Sequence, residues 1–405
     1  MRFLYFHQHF NTPEGTVGVR SYQMASTLVS RGHHVTMVCG RYNGAATGLE
    51  GPFVGGRRRG TVNGIDVIEL EIDYSNGDGF ARRTLSFLSF ALKSISVALR
   101  EDYDVLIATS TPLTAGIPGI LARWLRGKPF VFEVRDLWPE LPRAMGVIRN
   151  PIVLWGMGVL EWLSYHSATR LIGLSPGIVA GIAHRGVDEA NIALIPNGCD
   201  LDIFSQSVAP ARPEGVAPED LLALFAGTHG VANGLDAVLD AASVLKRRDR
   251  GDIKFVLAGE GKLKVRLQDR AREKGLRNVI FLDPMGKSRL AKLMMGADVG
   301  LQVLANVPAF YYGTSPNKFF DYISSGLPVV TNYPGWIADM IVANDCGFAV
   351  PPEDAEAFAD ALENAADNRG RFPAMKGNAL KVAEGFDRRI LADRFVTWVE
   401  GAGRS

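Results

Sequence analysis

The sequence predicts an α/β protein made of two Rossmann-like domains that face a central cleft. Short apolar runs alternate with helical patterns along the chain, the alternation starts again near residue 220, and glycine-bearing turns follow several of the runs. Such alternation is typical of βαβ units that build a parallel sheet. A chain of 405 residues also fits two domains of roughly 100 to 200 residues each. Ligands are therefore expected at the carboxyl ends of the strands that face the cleft.

The first domain is predicted over residues 1–195. Its first strand lies in FLYFHQHF and its first helix in GVRSYQMASTLVSRGH, where Gly32 is expected to end the helix in a left-handed conformation. Further strands are predicted in HVTMVCG, DVIELEI, DVLIATS, PFVFEVRD and ATRLIGLS.

The second domain is predicted over residues 196–386, after a connection near LIPNGCDLDIF. Its strands are expected in LLALFAGTHG, IKFVLAGEG, VIFLDP, ADVGLQVL and LPVVT, and its first helix in LDAVLDAASVLKRR. The last segment, residues 387–405, contains the amphipathic stretch FDRRILADRFVTWVE. We expect this helix to pack back on the first domain and complete it.

The composition excludes several classes of protein. A formal net charge of +1 argues against a general nucleic-acid binder, so no nucleic-acid partner is expected. Cys39, Cys199 and Cys346 stand far apart in no metal-ligand spacing, which indicates buried thiols in a reducing compartment. The start MRFLYFHQHF lacks the features of a signal peptide, and the longest uncharged run, NPIVLWGMGVL, is far below the roughly 20 residues of a membrane-spanning helix. A cytoplasmic protein is expected.

The stretch GTSPNKFFDYISSGLPVVT predicts a helix start that binds an anion. Ser315 is expected as the N-cap and Pro316 as the first helical residue, because Ser accepts an orphan N–H and Pro has none to lose. The unpaired N–H groups suit a phosphate, and Lys318 adds a full charge. Asn317 and Asp321 lie on one helix face, where a carboxylate can accept from two sugar hydroxyls. A capped helix with a solvated lysine is an equally weighted alternative.

Three glycine-bearing turns in the second half are expected near that helix start. Gly227 and Gly230 follow one strand, Lys262 lies in AGEGKL after the next, and Asp283 to Gly286 follow the third, where main-chain groups can hold a flat base. Each turn alone is a weak signal. Because all of them follow strands of one predicted sheet, their convergence on one edge favours a nucleotide ligand.

In the first half, the segment EVRDLWPELPRAMG follows an apolar strand. Its polar residues therefore lie at the carboxyl end of a strand, where α/β proteins have their binding and catalytic residues. Asp136 is the first candidate to accept a hydrogen bond or a proton from a reacting hydroxyl. A salt-bridged loop is the alternative. The earlier loop EGTVGVR places Gly15 after the first strand, where the backbone either approaches a ligand or simply turns.

The run Gly79 to Arg100 has a basic start and aromatic residues at Phe87 and Phe90. Together with the basic run Arg57 to Arg59 it predicts contact with a membrane interface, and Trp155 and Trp162 are further candidates for core or interface positions. An ordinary packed helix is the alternative with equal weight.

Taken in order, these residues resemble glycosyltransferase family 4, retaining sugar-nucleotide transferases with two Rossmann-like domains in the GT-B architecture. The resemblance covers nearly the whole chain and is carried by EGTVGVR, RGHHVTMV, EVRDLWPE, IALIPNGCDLDIF, FAGTHGVANGLDAVLDAA, LAGEGK and PNKFFDYISSGLPVV. The blocks IPNGCDLDIF and PNKFFDY are the more specific ones. The form RDLWPE is similar to transferases of bacterial surface polysaccharides, including the N-acetylfucosamine transferases of O-antigen assembly.

The resemblance implies roles for particular residues. Asp321 matches the second acid of the family signature E-x7-E, which holds the ribose, whereas the first acid falls at Gly313. The diphosphate-binding Arg and Lys of the family fall at Thr228 and Asn233, so both charges are absent. Lys318, Lys262 and the helix start are then expected to hold the phosphates. The expected donor-binding residues are Gly15, Gly227, Thr228, Lys262, Asp283, Met285, Thr314, Ser315, Asn317, Lys318 and Asp321.

On the acceptor side, the expected binding residues are Arg20, Arg135, Trp138 and Glu140, and the expected catalytic residues are Asp136 and Lys318. The resemblance implies no cofactor beyond the nucleotide-sugar co-substrate and no metal. It also implies that a sugar moves from a donor of the UDP-N-acetylhexosamine type to a polyprenyl-diphosphate-linked saccharide. The protein would act in bacterial surface polysaccharide synthesis, as a peripheral protein at the inner face of the plasma membrane. A UDP-sugar 2-epimerase of the same architecture and a non-catalytic nucleotide-sugar-binding protein are the alternatives.

Overall fold

The computed structural model describes residues 1–15, 18–75, 77–203 and 208–404. Thr16 and Val17 of the EGTVGVR loop, and Phe204 of the IPNGCDLDIF block, lie outside the described residues. The chain divides into two compact units. Unit 1 comprises residues 1–197, 312–315 and 388–405, and unit 2 comprises residues 198–311 and 316–387.

Unit 1 contains a mainly parallel sheet in the order β3-β4-β2-β1-β5-β6-β7-β8, in which β3 alone of the described strands runs antiparallel to its neighbour. Its central strands are buried along their length, as expected of a sheet covered on both faces. The strands are β1 (Arg2–Phe6), β2 (His34–Tyr42), β3 (Arg57–Val62), β4 (Ile65–Tyr74), β5 (Val105–Thr109), β6 (Phe130–Val134), β7 (Arg170–Gly173) and β8 (Ile192–Leu194).

The helices that cover this sheet follow the strands in βαβ fashion. They are α1 (Arg20–Ser30), α2 (Phe80–Arg100), α3 (Ile117–Arg126), α4 (Glu140–Ala144), α5 (Pro151–Ser167) and α6 (Pro176–His184), with α15 (Arg388–Ala402) from the end of the chain. α1 ends before Gly32, whose φ of 81° is the left-handed conformation predicted for it. α15 packs on α1, and the indole N–H of Trp398 donates to the carbonyl of Leu171 at 3.0 Å.

Unit 2 contains a fully parallel six-stranded sheet in the order β11-β10-β9-β12-β13-β14. Its strands are β9 (Leu221–Ala226), β10 (Ile253–Ala258), β11 (Val279–Leu282), β12 (Val299–Gln302), β13 (Val329–Thr331) and β14 (Gly347–Ala349). Because all six strands are parallel, their carboxyl ends lie along one edge.

The helices of the second half lie between these strands in sequence and after the last of them. They are α7 (Asp236–Arg247), α8 (Lys264–Glu273), α9 (Lys287–Gly296), α10 (Pro308–Gly313), α11 (Asn317–Ser324), α12 (Trp336–Ala343), α13 (Ala355–Asp367) and α14 (Phe372–Glu384). The buried faces of α7 and α13 join the strand residues in one apolar cluster, which forms the core of unit 2.

The predicted strands are confirmed where the sequence has apolar runs, although most are shorter than the quoted run, whereas β2 and β4 extend beyond it. β3 was not predicted, because RRRGTV is polar and shows no alternation of apolar and polar residues; the alternation is seen in the burial of its residues. This strand also corrects the interpretation of the basic run. Arg58 pairs with Glu69 at 2.8 Å and Arg59 with Glu101 at 3.0 Å, so two of its three charges are neutralised within the protein.

One prediction about side-chain placement changes, because Phe90 of α2 is fully buried in the core. Trp155 of α5, which was left open between core and interface, is 72% exposed. The three cysteines are buried free thiols, as predicted. Among the described residues, no helix combines the length and the apolar character needed to cross a membrane.

The helix that begins the PNKFFDY block starts at Asn317, with Pro316 in the N-cap position. The prediction of Ser315 as N-cap is therefore wrong. The Ser315 hydroxyl accepts instead from the backbone N–H of Asn197 at 2.9 Å, and the Asn197 amide donates to the Ser315 carbonyl at 2.6 Å. A partner far away in sequence has replaced the local cap.

A buried ionic centre lies at the end of β6 in unit 1. The Glu133 carboxylate has no exposed surface and accepts from Arg20 at 3.1 Å, Arg135 at 3.0 Å and Thr109 at 2.9 Å. Burial alone would raise the pKa of Glu133, but the charges of Arg20 and Arg135 and the hydrogen bonds from Arg20 and Thr109 outweigh it. They hold the pKa at about 2. Glu133 is therefore ionised whenever the protein is folded near neutral pH.

We predict that Glu133→Gln lowers the free energy of unfolding by about 3–5 kcal/mol, because it leaves Arg20 and Arg135 buried without their counter-charge. The pKa of Glu133 is depressed in the folded state, so its contribution is present above its ordinary value of 4.5 and is lost as the pH falls toward 2. The difference between wild type and variant, measured by denaturant unfolding, should therefore shrink across that window. The exposed Glu189→Gln is the matched control and should change stability little. Equal stability of wild type and Glu133→Gln at pH 7 would contradict the ionic centre.

Candidate functional site

The turns that follow β9, β10 and β11 lie side by side at the carboxyl edge of the unit 2 sheet. The N–H of Gly227 donates to the Ala258 carbonyl at 2.9 Å, and the N–H of His229 donates to the Glu260 carbonyl at 2.8 Å. The N–H of Gly259 donates to the Leu282 carbonyl at 3.1 Å. The predicted convergence of these turns on one edge is thus present within unit 2.

Close backbone packing explains the glycines in these turns. A Cβ atom at Gly259 would lie 1.9 Å from the carbonyl oxygen of Gly227, and one at Gly261 would lie 2.5 Å from that of His229. Any side chain at either position would therefore force the turns apart. A Cβ atom at Gly227 would instead lie 3.3 Å from Cε of Lys318, so this glycine also leaves room for the lysine.

Lys318, in the first turn of α11, reaches the turn after β9. Its Nζ donates to Oδ1 of Asn233 at 2.5 Å, and Nδ2 of Asn233 donates in turn to the Thr228 carbonyl at 2.7 Å. The ammonium also lies 4.8 Å from the ring centre of Phe225. The two positions where the resemblance implied charged residues, 228 and 233, therefore hold Lys318 in place.

Lys318 is a half-buried cation with neutral neighbours. Burial lowers its pKa from 10.5 to about 8. In the part of the chain that the structure describes, no carboxylate forms an ion pair with it, whereas the buried Lys264 and the half-buried Arg58 and Arg212 each have such a partner. A desolvated ammonium beside the N-terminus of a helix is an anion-binding arrangement.

The other predicted donor-binding residues of unit 2 differ in exposure. Thr228, Asn317 and Lys262 are exposed, whereas Met285 and Asp321 are half-buried. Lys262 makes no hydrogen bond or ion pair with any described residue. Lys264, which the sequence interpretation passed over, is buried and donates to Asp283 at 2.7 Å and to Glu260 at 3.3 Å. Lys264 thus forms an ion pair with the Asp283 carboxylate. The second lysine of AGEGKLK was the sequence signal for this contact.

The remaining predicted donor-binding residues, Gly15, Thr314 and Ser315, belong to unit 1. The contacts of Ser315 with Asn197 are described above. At Gly15 a Cβ atom would lie 1.8 Å from Oδ1 of Asn11, whose oxygen already accepts the Ala46 N–H at 2.8 Å. Tight packing therefore accounts for this glycine without a ligand.

On the unit 1 sheet, Asp136 follows β6 and is half-buried. The Thr111 hydroxyl donates to its carboxylate at 3.3 Å. Burial raises the pKa of Asp136, and the Thr111 hydrogen bond and the charge of Arg135 offset this in part. A partly desolvated carboxylate with one weak partner is suited to accept a hydrogen bond or a proton.

The expected acceptor-binding residues divide into three kinds. Arg20 is buried and donates to Glu133 and to the carbonyls of Pro196 at 2.6 Å and Ile195 at 2.8 Å, so its place in the fold does not fit the expected acceptor contact. Arg135 uses Nε on Glu133, while its buried Nη2 has no hydrogen-bond partner among the described residues. The indole N–H of Trp138 is also buried and has no hydrogen-bond partner among the described residues. Glu140, at the start of α4, is exposed.

Two histidines at the carboxyl end of β1 were not predicted as site residues. Nδ1 of His7 lies 2.5 Å from the Ser21 hydroxyl, and His9 packs on Tyr74 with ring centres 4.5 Å apart. Burial is the main cause that lowers both pKa values, that of His9 to about 3, so both rings are neutral at pH 7. The polar letters HQH at the end of an apolar run were the signal for them.

Among the described residues, no three His, Cys, Asp or Glu side chains group as a metal site. Independence of metal stays a prediction.

Two family models match the chain. The Glycosyl transferase 4-like domain matches residues 15–198, and the Glycosyl transferases group 1 model matches residues 220–368. Together the two matches cover most of both structural units.

Curated relatives are glycosyltransferases of low identity. The D-inositol 3-phosphate glycosyltransferase of Actinosynnema mirum is 28% identical over 215 residues, which is 49% of each chain. The UDP-Gal:alpha-D-GlcNAc-diphosphoundecaprenol alpha-1,3-galactosyltransferase of Escherichia coli is 26% identical over 306 residues, which is 71% of this chain and 73% of the relative. The matches to the first three curated relatives span about half of their length, from 49% to 57%.

Solved structures share the whole fold at low identity. Sucrose-phosphate synthase from Thermosynechococcus elongatus superposes with a TM-score of 0.75 at 16% identity, over 99% of this chain and 98% of that one. HepE from Anabaena, in complex with UDP, superposes with a TM-score of 0.70 at 16% identity, over 99% and 100% of the two chains. The predicted GT-B fold is confirmed, while the finer resemblance to N-acetylfucosamine transferases stays a prediction. With both halves matched by glycosyltransferase models and the whole chain by the fold, this protein belongs to the GT-B glycosyltransferases.

Proposed function

We propose that this protein is an enzyme that transfers a sugar from a nucleotide-diphosphate sugar to a lipid-linked saccharide in bacterial surface polysaccharide synthesis. The observation that carries the proposal is Lys318, a half-buried ammonium with neutral neighbours at the carboxyl edge of the unit 2 sheet. Such a cation is suited to the diphosphate of a donor, which gains negative charge as it leaves.

The donor site is assigned to unit 2. Lys318 supplies the cation, the free N–H groups at the start of α11 supply dipoles, and the turn at Gly227 allows close approach of a phosphate. Asp321, one turn further along α11, is proposed to accept from the ribose hydroxyls. The turn from Asp283 to Met285 is proposed to hold the base through main-chain groups.

Two relatives support the choice of donor and acceptor. HepE from Anabaena is described in complex with UDP, and the name of the Escherichia coli relative states a UDP-sugar donor and a diphosphoundecaprenol-linked acceptor. We therefore propose a UDP-sugar, of the N-acetylhexosamine type, and a polyprenyl-diphosphate-linked saccharide.

In the proposed reaction an acceptor hydroxyl attacks the anomeric carbon while the bond from that carbon to the diphosphate breaks. The diphosphate departs with the bonding electron pair, and Lys318 and the α11 N–H groups stabilise its charge. The hydroxyl proton passes to the departing phosphate, and Asp136 orients the hydroxyl by accepting its hydrogen bond. The anomeric configuration is retained, as in the family that the sequence resembles.

A lipid-linked acceptor requires work at a membrane surface, so a peripheral protein at the inner face of the plasma membrane is proposed. Leu92 of α2 and Ile152 and Trp155 of α5 are 68%, 76% and 72% exposed, and α3 packs between these two helices. Exposed apolar side chains on helices that share a packing partner favour a protein or membrane contact surface. This apolar face, rather than the paired arginines of β3, is the proposed contact.

We predict that UDP binding weakens as the pH rises through about 8. Below that pH Lys318 carries its proton in the free protein, and above it a proton must be taken up on binding, so the affinity falls by up to tenfold per pH unit. Isothermal calorimetry between pH 7 and pH 10 tests this. In Lys318→Arg, whose side chain stays charged, the profile should be flat.

Lys318→Ala should weaken UDP binding about tenfold or more at pH 7, whereas Lys262→Ala should change it less, because Lys262 is exposed and contacts no described residue. An unchanged affinity in Lys318→Ala would remove the donor site from α11. Tight UDP binding with no turnover on any acceptor would favour the non-catalytic alternative. The lack of charged residues at positions 228 and 233, which are Thr228 and Asn233, is the observation behind that alternative.

We also predict that Asp136→Ala, which removes the acceptor that orients the reacting hydroxyl, lowers the transfer rate by about 10²-fold or more while UDP affinity stays the same. The assay is radiolabelled transfer from a panel of UDP-sugars to GlcNAc-diphosphoundecaprenol. Glu140→Gln, on the same loop but exposed, is the control and should retain most activity. A loss of less than threefold in Asp136→Ala would exclude Asp136 from contact with the reacting hydroxyl.

A further inference from the structure

Unit 1 holds two neighbouring cavities of opposite character. One is a polar cavity of about 760 Å³ lined by charged side chains that include Arg41, Glu69, Asp73, Asp78 and Arg82. The other, of about 330 Å³, is apolar and lies between α2, α5 and the segment after β5. Both sizes lie at or above the lower end of the range of small-molecule sites. The proposed function as argued above uses neither.

The apolar cavity is a hydrocarbon site by its lining. Most of its lining residues are apolar, and they include Phe87, Leu88, Leu113, Met157 and Leu160. Phe80 and Val147, which also line it, are more than half exposed, so the apolar lining of the cavity reaches the protein surface. A ligand that fills it must bring a hydrocarbon group, because a polar ligand group would find few hydrogen-bond partners in the wall.

Two polar groups in that wall lack partners. Nε of Arg83 and the indole N–H of Trp138 are buried, and neither has a hydrogen-bond partner among the described residues. The Arg83 guanidinium lies over the ring of Tyr74, 5.7 Å from its centre. A buried donor without an acceptor is costly, and an anionic group at this end of the cavity would satisfy it.

One aromatic pair separates the two cavities. Tyr74 lines the polar cavity and Phe87 the apolar one, and their rings are stacked with centres 5.2 Å apart. At the same boundary Arg82 lines the polar cavity, and its neighbour Arg83 lines the apolar one. Two cations therefore lie where a polar site meets an apolar one.

We propose that the apolar cavity binds the first isoprenoid units of the lipid-linked acceptor, that Arg82 and Arg83 bind its diphosphate, and that the polar cavity receives its saccharide. This assignment rests on the proposed function and names the part of the protein that holds the acceptor. A polyprenyl-diphosphate-linked saccharide has the same order of groups: an apolar chain, a diphosphate and a sugar. Asp136 lies on the same loop as Trp138, which places the proposed reacting hydroxyl beside this site.

The helix α5 offers a matched pair of variants. Gly156 borders the apolar cavity, whereas Gly158, two residues on, lies outside the wall that the described residues form. A Cβ atom at either glycine would meet no atom within 4 Å, so neither substitution disturbs the backbone. Gly156→Leu should fill the cavity, and Gly158→Leu should add the same side chain to the same helix without filling it.

The test is calorimetric binding of farnesyl diphosphate, with farnesol and inorganic pyrophosphate as the separate chain and head group. Wild type should bind farnesyl diphosphate at least about tenfold more tightly than either part. Gly156→Leu should weaken that binding about tenfold, and Gly158→Leu should leave it unchanged. Arg83→Gln should weaken the binding of farnesyl diphosphate but not that of farnesol.

Three results would overturn the assignment: no binding of farnesyl diphosphate by wild type, equal loss in both glycine variants, or equal binding of pyrophosphate and farnesyl diphosphate. UDP affinity and thermal melting of the same preparations separate this from the proposed function. Normal UDP binding without prenyl binding would refute the acceptor site alone, and loss of UDP binding in wild type with intact prenyl binding would refute the donor proposal alone.

Discussion

The buried carboxylate of Glu133 is the constraint on which the functional edge of unit 1 depends. It draws Arg20 from α1 and Arg135 from the loop after β6 to one point, and Arg20 also holds the carbonyls at residues 195 and 196. The Ser110 hydroxyl accepts the Arg135 N–H at 2.9 Å, which fixes the backbone one residue before Asp136. A buried charge is costly unless it is fully paired, so this centre tolerates little rearrangement. The direction in which Asp136 leaves the sheet follows from it.

In unit 2 the functional edge depends on a cation, Lys318, that comes from the helix α11 rather than from the turn beside it. The resemblance implied two cations in the turn after β9, and the turn carries Thr228 and Asn233 instead. Asn233 binds the ammonium of Lys318, so a charge from α11 stands where the turn lacks one. The neighbours of this lysine are neutral and partly exclude water, which weakens its hold on its own proton but strengthens its attraction for a bound anion. The single desolvated charge of Lys318 is thus proposed to replace the two charges that the resemblance implied in the more solvated turn.

The sequence predicted most of what local pattern decides. Buried parallel strands appear as apolar runs, and Gly32 and α2 lie where the pattern placed them. What it missed depends on partners distant in the chain. Ser315 caps nothing because Asn197 occupies its hydroxyl, Arg20 is buried because Glu133 faces it, and Lys264 rather than Lys262 turns inward because Asp283 is within reach. Polar strand β3 pairs with β4 through its backbone, which no apolar pattern reports.

The contrast between the two units follows from the two substrates that the proposed reaction needs. A nucleotide sugar is polar throughout, so a sheet edge with backbone turns, one cation and one carboxylate is enough to hold it. A lipid-linked saccharide is polar at one end and apolar at the other, and a site for it must desolvate hydrocarbon without trapping its phosphates in an apolar place. Cations at the boundary between a polar and an apolar cavity meet that requirement, and the exposed apolar face of α2 and α5 gives the chain a path that avoids water. Soluble monomers rarely expose large apolar patches, so these side chains are a physical reason to expect a lipid beside them.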